Sequence, residues 1–402
     1  MPPDAVTKPD RLLSLDVMRG LTILAMILVN NPGSWGAMYW PLGHAAWHGW
    51  TPTDLIFPFF LFMVGVAMAY SFAKYTTGEG TPTGAVWWRI VRRVLLLILL
   101  GLMLAGSGRI LQFFMGTLES WDLATLRWPG VLQRIGLAYL GASLVVLLLG
   151  KRGQMVVALG LLLVYAGLLR SFPADVPPTE RLAAASNVVR AVDRAVIGPQ
   201  HMWTQATTNP TDPEGLLSTL PAIVTTLLGY AVGCAIKGKP ASRTMVTQLL
   251  LAGVGLAALG QAWHAVPSPW GMPINKALWT PSFVLLSGGL AIVTLALCLF
   301  TFDVVGKGSN RLAAVATAFQ MVGVNAIFVF VASGFFARLL TLMKFGEVTL
   351  KDGIYAHLVT GPLNAIGLAD PKLASLAYAL GFVAVWWLVL WAMWRRGWSV
   401  RV

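Results

Sequence analysis

The chain has 402 residues, 57% of them hydrophobic and only 11% charged, whereas a soluble domain carries about a quarter charged residues. That balance excludes a soluble globular enzyme and marks a polytopic membrane protein. The formal charge of +13 does not indicate nucleic acid as a partner, because Lys and Arg lie scattered at the ends of apolar segments and form no soluble basic block.

A spanning helix takes about 20 apolar residues. Ten such segments are expected, near 12–31, 53–73, 87–107, 130–149, 153–170, 217–236, 245–262, 281–300, 312–333 and 375–394. They predict an all-α bundle of ten transmembrane helices, one domain over 1–402, with the lipid bilayer as its surroundings. The first apolar segment is too long for a cleaved signal, so it is expected to stay. Lys8 and Arg11, Lys74 with Arg89, Arg92 and Arg93, Lys151 and Arg152, Lys237, Lys239 and Arg243, Lys307 and Arg311, then Arg395 and Arg396 alternate with the remaining loops, among which 32–52 has no Lys or Arg. The positive-inside rule then predicts cytoplasmic termini and an outward 32–52 loop. Two further outward segments are longer: 171–216, expected to form a small cap with a helix near RLAAASNVVRAVDRAV, and 334–374, which carries Lys344, Glu347, Lys351, Asp352 and His357. Cys234 and Cys298 both sit in apolar runs and read as packing residues. A homodimer is left open.

The chemistry-bearing residues concentrate between Asp16 and Gly65. Asp16 and Arg19 stand three apart on one helix, so they can pair. Alternatively, Arg19 and Asn30, about 16 Å apart in helix rise, could guide an elongated polyanion. Asn30 and Asn31 precede Pro32 and Gly33, which is helix-ending chemistry; an amide there could equally polarise a carbonyl. His44 and His48, four apart, would share a face if their loop were helical, and imidazole exchanges protons near neutral pH. With Asp54 they also have zinc-ligand chemistry, but the spacing lacks the glutamate of the zincin pattern and no metal is expected. Thr51, Pro52, Thr53 and Asp54 read as N-cap to N3 of a capping box, which leaves Asp54 able to orient a histidine as well. Trp35, Trp40, Trp47 and Trp50 fit an aromatic belt or a sugar-stacking surface.

The runs LDVMRGLTILAMILVNNPG and HAAWHGWTPTDLIFPFFLFMVG, with GVLQRIGLAYL (130–140), DPEGLLSTLPAIVTTLLGYAVG (212–233), INKALWTPSFVLLSGG (274–289), VGVNAIFVFVASGFFARLL (322–340) and the tail from Ser375 to Arg396, resemble the membrane acetyltransferase family typified by the heparan-alpha-glucosaminide N-acetyltransferases and their bacterial homologues. The resemblance implies an N-acetyltransferase of a bacterial cytoplasmic membrane. It would move an acetyl group from cytosolic acetyl-CoA to the amine of a glucosamine-type amino sugar on the far side. It aligns His44 with the family's active histidine, Asn30 with its active-site asparagine and Asp54 with the aspartate of the DLIFP block. His44 is then expected to act as base or nucleophile, Asn30 as oxyanion donor and Asp54 as the group that sets the imidazole tautomer.

Coenzyme A phosphates favour arginine, which makes Arg11, Arg19, Arg92 and Arg93 donor-binding candidates unless they are only topology anchors. His48, Trp47 and Trp50 are expected near the acceptor. Gln133, Arg134, Asn275, Lys276 and Asn325 lie in or beside apolar runs, where they could line a pocket or bridge helices. A transporter or channel for a sugar or lipid-linked sugar is the rival reading, since fold does not decide function, and a metal-dependent membrane hydrolase is a third.

Overall fold

A computed structural model describes residues 12–76, 80–203, 211–268 and 270–400. The principal helices are α1 (Leu13–Asn30), α2 (Ile56–Ser71), α3 (Gly84–Ala105), α4 (Ser107–Phe114), α5 (Val131–Leu148), α6 (Lys151–Ser171), α7 (Val188–Val196), α8 (Thr219–Ile236), α9 (Arg243–Ala265), α10 (Pro281–Cys298), α11 (Asn310–Val324), α12 (Ala326–Leu342) and α13 (Pro371–Arg395). A small antiparallel hairpin pairs Lys344 with Thr349 and Phe345 with Val348. Among the described residues, eight helices are each long and apolar enough to cross a membrane, and two bent pairs bring the number to ten. The protein is an all-α polytopic membrane protein.

The expected segment 87–107 is met by α3, and the chain then bends by 63° into α4; the segment 312–333 is itself broken, by a second bend of 70° between α11 and α12. At the second bend Asn325 is fully buried. Its Nδ2 donates to the Met321 carbonyl at 3.2 Å and its Oδ1 accepts the Val400 N–H at 2.9 Å, so one amide serves both the broken helix and the C-terminal tail. Because α12 runs to Leu342, the expected 334–374 loop begins inside a helix. The segment near 281–300 continues through a π-helical turn, Leu299–Val305, where Asp303 accepts the Ser14 N–H of α1 at 3.2 Å.

The cap contains α7, as the 171–216 segment predicted. Asp193 on α7 accepts the Leu216 and Leu217 N–H groups at 2.9 and 3.1 Å. Arg127 grips Asp212 through Nε at 2.8 Å and reaches Asp212 and Glu214 through Nη2, both at 2.5 Å. Ion pairs therefore tie this segment to the loop that leads into α5. Cys298 is buried, whereas Cys234 faces outward and does not pack in the core as expected.

Apolar surface is not expelled from lipid, so helices in a bilayer associate where small residues let backbones approach. That is how α2 meets α8: a Cβ added at Gly65 would lie 1.9 Å from the Thr226 carbonyl oxygen, and one at Gly229 1.9 Å from that of Phe62. Backbone cannot yield as a side-chain tip can. Gly229→Val is expected to force the pair apart and to cost about 1–3 kcal/mol or more. Gly255→Val, where an added Cβ meets nothing within 4 Å, should be near neutral. Thermal unfolding of the detergent-solubilised variants reads the difference.

Candidate active site

The site is built on the turn that opens α2. Thr51 is the N-cap of a short 3-10 turn, Pro52–Leu55, with Pro52 at its start and Asp54 at N3, closing the expected capping box. Asp54 Oδ2 accepts the Thr51 N–H at 3.0 Å and the Ala45 N–H at 3.1 Å. The Thr51 hydroxyl spends its one proton on the Gly43 carbonyl at 2.6 Å. Both ends of the 43–51 loop are thus tied to one carboxylate.

The other Asp54 oxygen lies 2.7 Å from Nδ1 of His44. That separation requires a proton between nitrogen and carboxylate, so His44 carries it on Nδ1, which makes Nε2 the acceptor whenever the ring is neutral. The Asp54 side chain is 2% exposed and that of His44 52%: a fixed buried anion orients an accessible ring. The loop around them is not helical, so His44 and His48 do not share a face. His48 turns instead toward Asn275, whose Nδ2 donates to the Trp47 carbonyl at 2.8 Å and approaches His48 Nδ1 at 3.3 Å. The two histidines therefore hold opposite tautomers. Partial burial first, and the nearby His264 second, hold His48 below the ordinary imidazole range. No cluster of three or more His, Cys, Asp or Glu that could hold a metal occurs among the described residues.

A second loop completes the group, and its polar residues Asn275 and Lys276 are two of the five for which the sequence left pocket lining and helix bridging open. Lys276 Nζ lies 3.5 Å from Asp54 Oδ1 and 3.2 Å from His44 Nδ1. Asn275, fully buried, accepts the Leu278 N–H at 2.8 Å, while Gly49 N–H donates to the Ile274 carbonyl at 2.8 Å. Trp279 closes the turn at φ 48°, a left-handed conformation that costs a non-glycine residue about 1–3 kcal/mol. Its ring meets Phe57 and Phe283 edge-on, and the Arg134 guanidinium lies 5.1 Å from its centre. Arg134 in turn donates to the Gly215 carbonyl at 2.8 Å and to the Ser218 hydroxyl. The bulk of the core holds the strained turn, and the turn holds Lys276.

No family model matches the chain. Over 365 residues it is 27% identical to the heparan-alpha-glucosaminide N-acetyltransferase of Homo sapiens, covering 80% of this chain and 52% of the relative. The Mus musculus protein of the same name is 26% identical over 364 residues, covering 80% and 53%. The chain resembles the heparan-alpha-glucosaminide N-acetyltransferases. It spans about half the length of these curated relatives.

The remaining residues that the sequence singled out divide. Asn30 ends α1, while Asn31 caps it by donating to the Ile27 carbonyl at 2.8 Å. Both line a cavity of about 380 Å³ that is also bounded by Trp35, Ser107, Ser333, Arg338, Lys351 and Tyr378. No hydrogen bond joins Asn30 to His44 among the described residues. Trp47 donates its indole N–H to the Leu182 carbonyl of the cap at 2.8 Å, and Trp50 donates to Gln261 at 3.4 Å; Trp35 and Trp40 are exposed. Arg19 pairs with Asp16 at 3.3 Å as its spacing predicted. Arg92 is exposed, and Arg93 lies over the Tyr139 ring at 4.9 Å. Arg11 lies outside the described residues.

Asn275 is the test of whether the second loop is held as described. Asn275→Ala leaves the buried Leu278 N–H and the Trp47 carbonyl without their partner, at about 1–3 kcal/mol for each buried group. The expected result is a lowered unfolding midpoint with helix content retained, read by circular dichroism and tryptophan fluorescence.

Proposed function

We propose that this protein is a membrane N-acetyltransferase that takes acetyl groups from acetyl-CoA and delivers them to the amine of a glucosamine-type amino sugar. The observation that carries the reading is the oriented pair of His44 and Asp54: a half-exposed imidazole held by a buried carboxylate in the tautomer that leaves Nε2 free. The likeness to two proteins named as N-acetyltransferases supports it.

The chemistry follows from what thioester aminolysis needs. The sugar amine attacks the acetyl carbonyl, the new N–C bond forms, and the nitrogen must lose a proton that His44 Nε2 accepts. The resulting imidazolium is stabilised by Asp54 through Nδ1. Collapse of the tetrahedral intermediate breaks the C–S bond, and the proton returns from Nε2 to the departing thiolate. Negative charge on the carbonyl oxygen calls for a donor, for which Asn30 is the proposed residue. Direct transfer is preferred to an acetyl-histidine, since a half-exposed acetyl-imidazole would meet water.

The donor is proposed to enter from the cytoplasmic side, where Arg19, Arg92 and Arg93, with Arg11, would meet its phosphates. The acceptor would approach from the opposite face, with Trp47, Trp50 and His48 beside the sugar. The positive-inside pattern supports this sidedness.

Proteoliposomes loaded with labelled acetyl-CoA and bathed in glucosamine test the reading. Labelled N-acetylated sugar is expected outside, reduced roughly 10²–10⁴-fold by His44→Ala and by Asp54→Asn. Sugar flux without acetylation would establish a transporter instead.

A further inference from the structure

We propose that Lys276 is a positioning residue that takes the one charge Asp54 can share, and so keeps His44 in its unprotonated, proton-accepting form between turnovers. The inference rests on the reading of His44 as the proton acceptor, and goes beyond it by assigning an ammonium from a loop 232 residues away.

A buried carboxylate beside an imidazole ordinarily favours the imidazolium, because the ion pair satisfies both partners. An imidazolium at rest is a spent base: it has no lone pair on Nε2 for the incoming amine's proton. Here a second cation is already present. Lys276 Nζ stands 3.5 Å from Asp54 Oδ1, and only 3.2 Å from His44 Nδ1.

Nδ1 already donates to Asp54, so it cannot also accept a proton from the ammonium. The 3.2 Å approach is therefore a juxtaposition of like charges whenever His44 is protonated, and a tolerable one when it is neutral. With Lys276 present, carboxylate, ammonium and neutral ring sum to zero. Protonating the ring then adds an uncompensated charge.

The groups facing this trio are few. Asp54 comes from the turn before α2 and Lys276 from the loop before α10. Glu214 from the cap side raises, and Arg134 from α5 lowers, the proton affinity of Lys276. Burial above all draws the Lys276 ammonium below the ordinary lysine range, and Asp54 with Glu214 pushes it back. His264 acts electrostatically on His48. The side chain of Lys276 is 19% exposed against 52% for His44, and its ammonium meets the ring at Nδ1 and not at Nε2.

The test reads the protonation of His44 without relying on acetyl transfer. Diethyl pyrocarbonate acylates only the unprotonated imidazole, and mass spectrometry of the peptide that holds His44 gives its extent on the full chain in detergent, between about pH 5 and pH 9. Lys276→Met is expected to move the midpoint of His44 modification up by about one pH unit, and Lys276→Arg, which keeps the charge, to leave it near wild type. The acid limb of kcat/KM should move in parallel.

An unmoved or lowered midpoint in Lys276→Met overturns the inference. So does Lys276→Arg behaving like Lys276→Met, or a loss of activity uniform across pH. The outcomes separate from those of the enzyme reading: a shifted midpoint without acetyl transfer sinks only the acetyltransferase, and acetyl transfer with an unmoved midpoint sinks only the role of Lys276.

Discussion

One carboxylate organises this end of the molecule. Asp54 is nearly inaccessible, and a buried anion is tolerated only where donors surround it. Two backbone N–H groups, one ring N–H and an ammonium do so. Three of these donors, from His44, Ala45 and Thr51, belong to the one loop that leads into the turn, and the fourth comes from a loop in the second half of the sequence. The electrostatic demand of one side chain therefore folds the His44 loop, sets the imidazole tautomer and draws the Lys276 loop against both. Removing the anion would leave His44 attached by backbone alone and Lys276 as an unpaired buried cation.

How much of this could be read from the sequence depends on distance along the chain. The capping box was legible because Thr51 and Asp54 are three residues apart and their relation is a property of any helix start. The Asp16–Arg19 pair was legible for the same reason. The ten apolar segments were legible because spanning a bilayer demands length and composition, which are local counts. The bends at Gly106 and Asn325 were not, because apolarity continues across them while the direction of the chain changes. Lys276 could not be placed, since nothing near it announces a partner in the first helices. The one available signal was that Asn275 and Lys276 are polar residues adjoining an apolar run, and such residues near a membrane need partners.

The expectation that His44 and His48 act from one helical face shows where periodicity misleads. A spacing of four implies a shared face only if the backbone is helical, and this loop is held in a series of bends by Asp54 at one place and by Ile274 and Asn275 at another. The two rings consequently part. Trp47, expected beside a sugar, gives its indole N–H to the cap, which makes it part of the joint between loop and cap. A substrate that stacks on it would meet a ring already fixed in place, a cheaper surface to bind than a mobile one.

The division of labour across the bundle follows from the solvent around it. Where helices cross, contact is made through glycine against backbone, as at Gly65 and Gly229, because in lipid close packing substitutes for the hydrophobic effect. Charged pairs that join separate loops are instead concentrated near the His44 loop and the cap, Asp54 with Lys276 and Arg127 with Asp212 and Glu214, while Asp16 and Arg19 pair within α1. That concentration has a mechanical consequence. A tightly meshed apolar bundle resists small displacements, whereas loops joined by ion pairs can exchange one partner for another at modest cost, so any rearrangement that admits or releases a bulky polar acceptor should fall on the cap and the two site loops, with α2 and α8 as the rigid base against which they move.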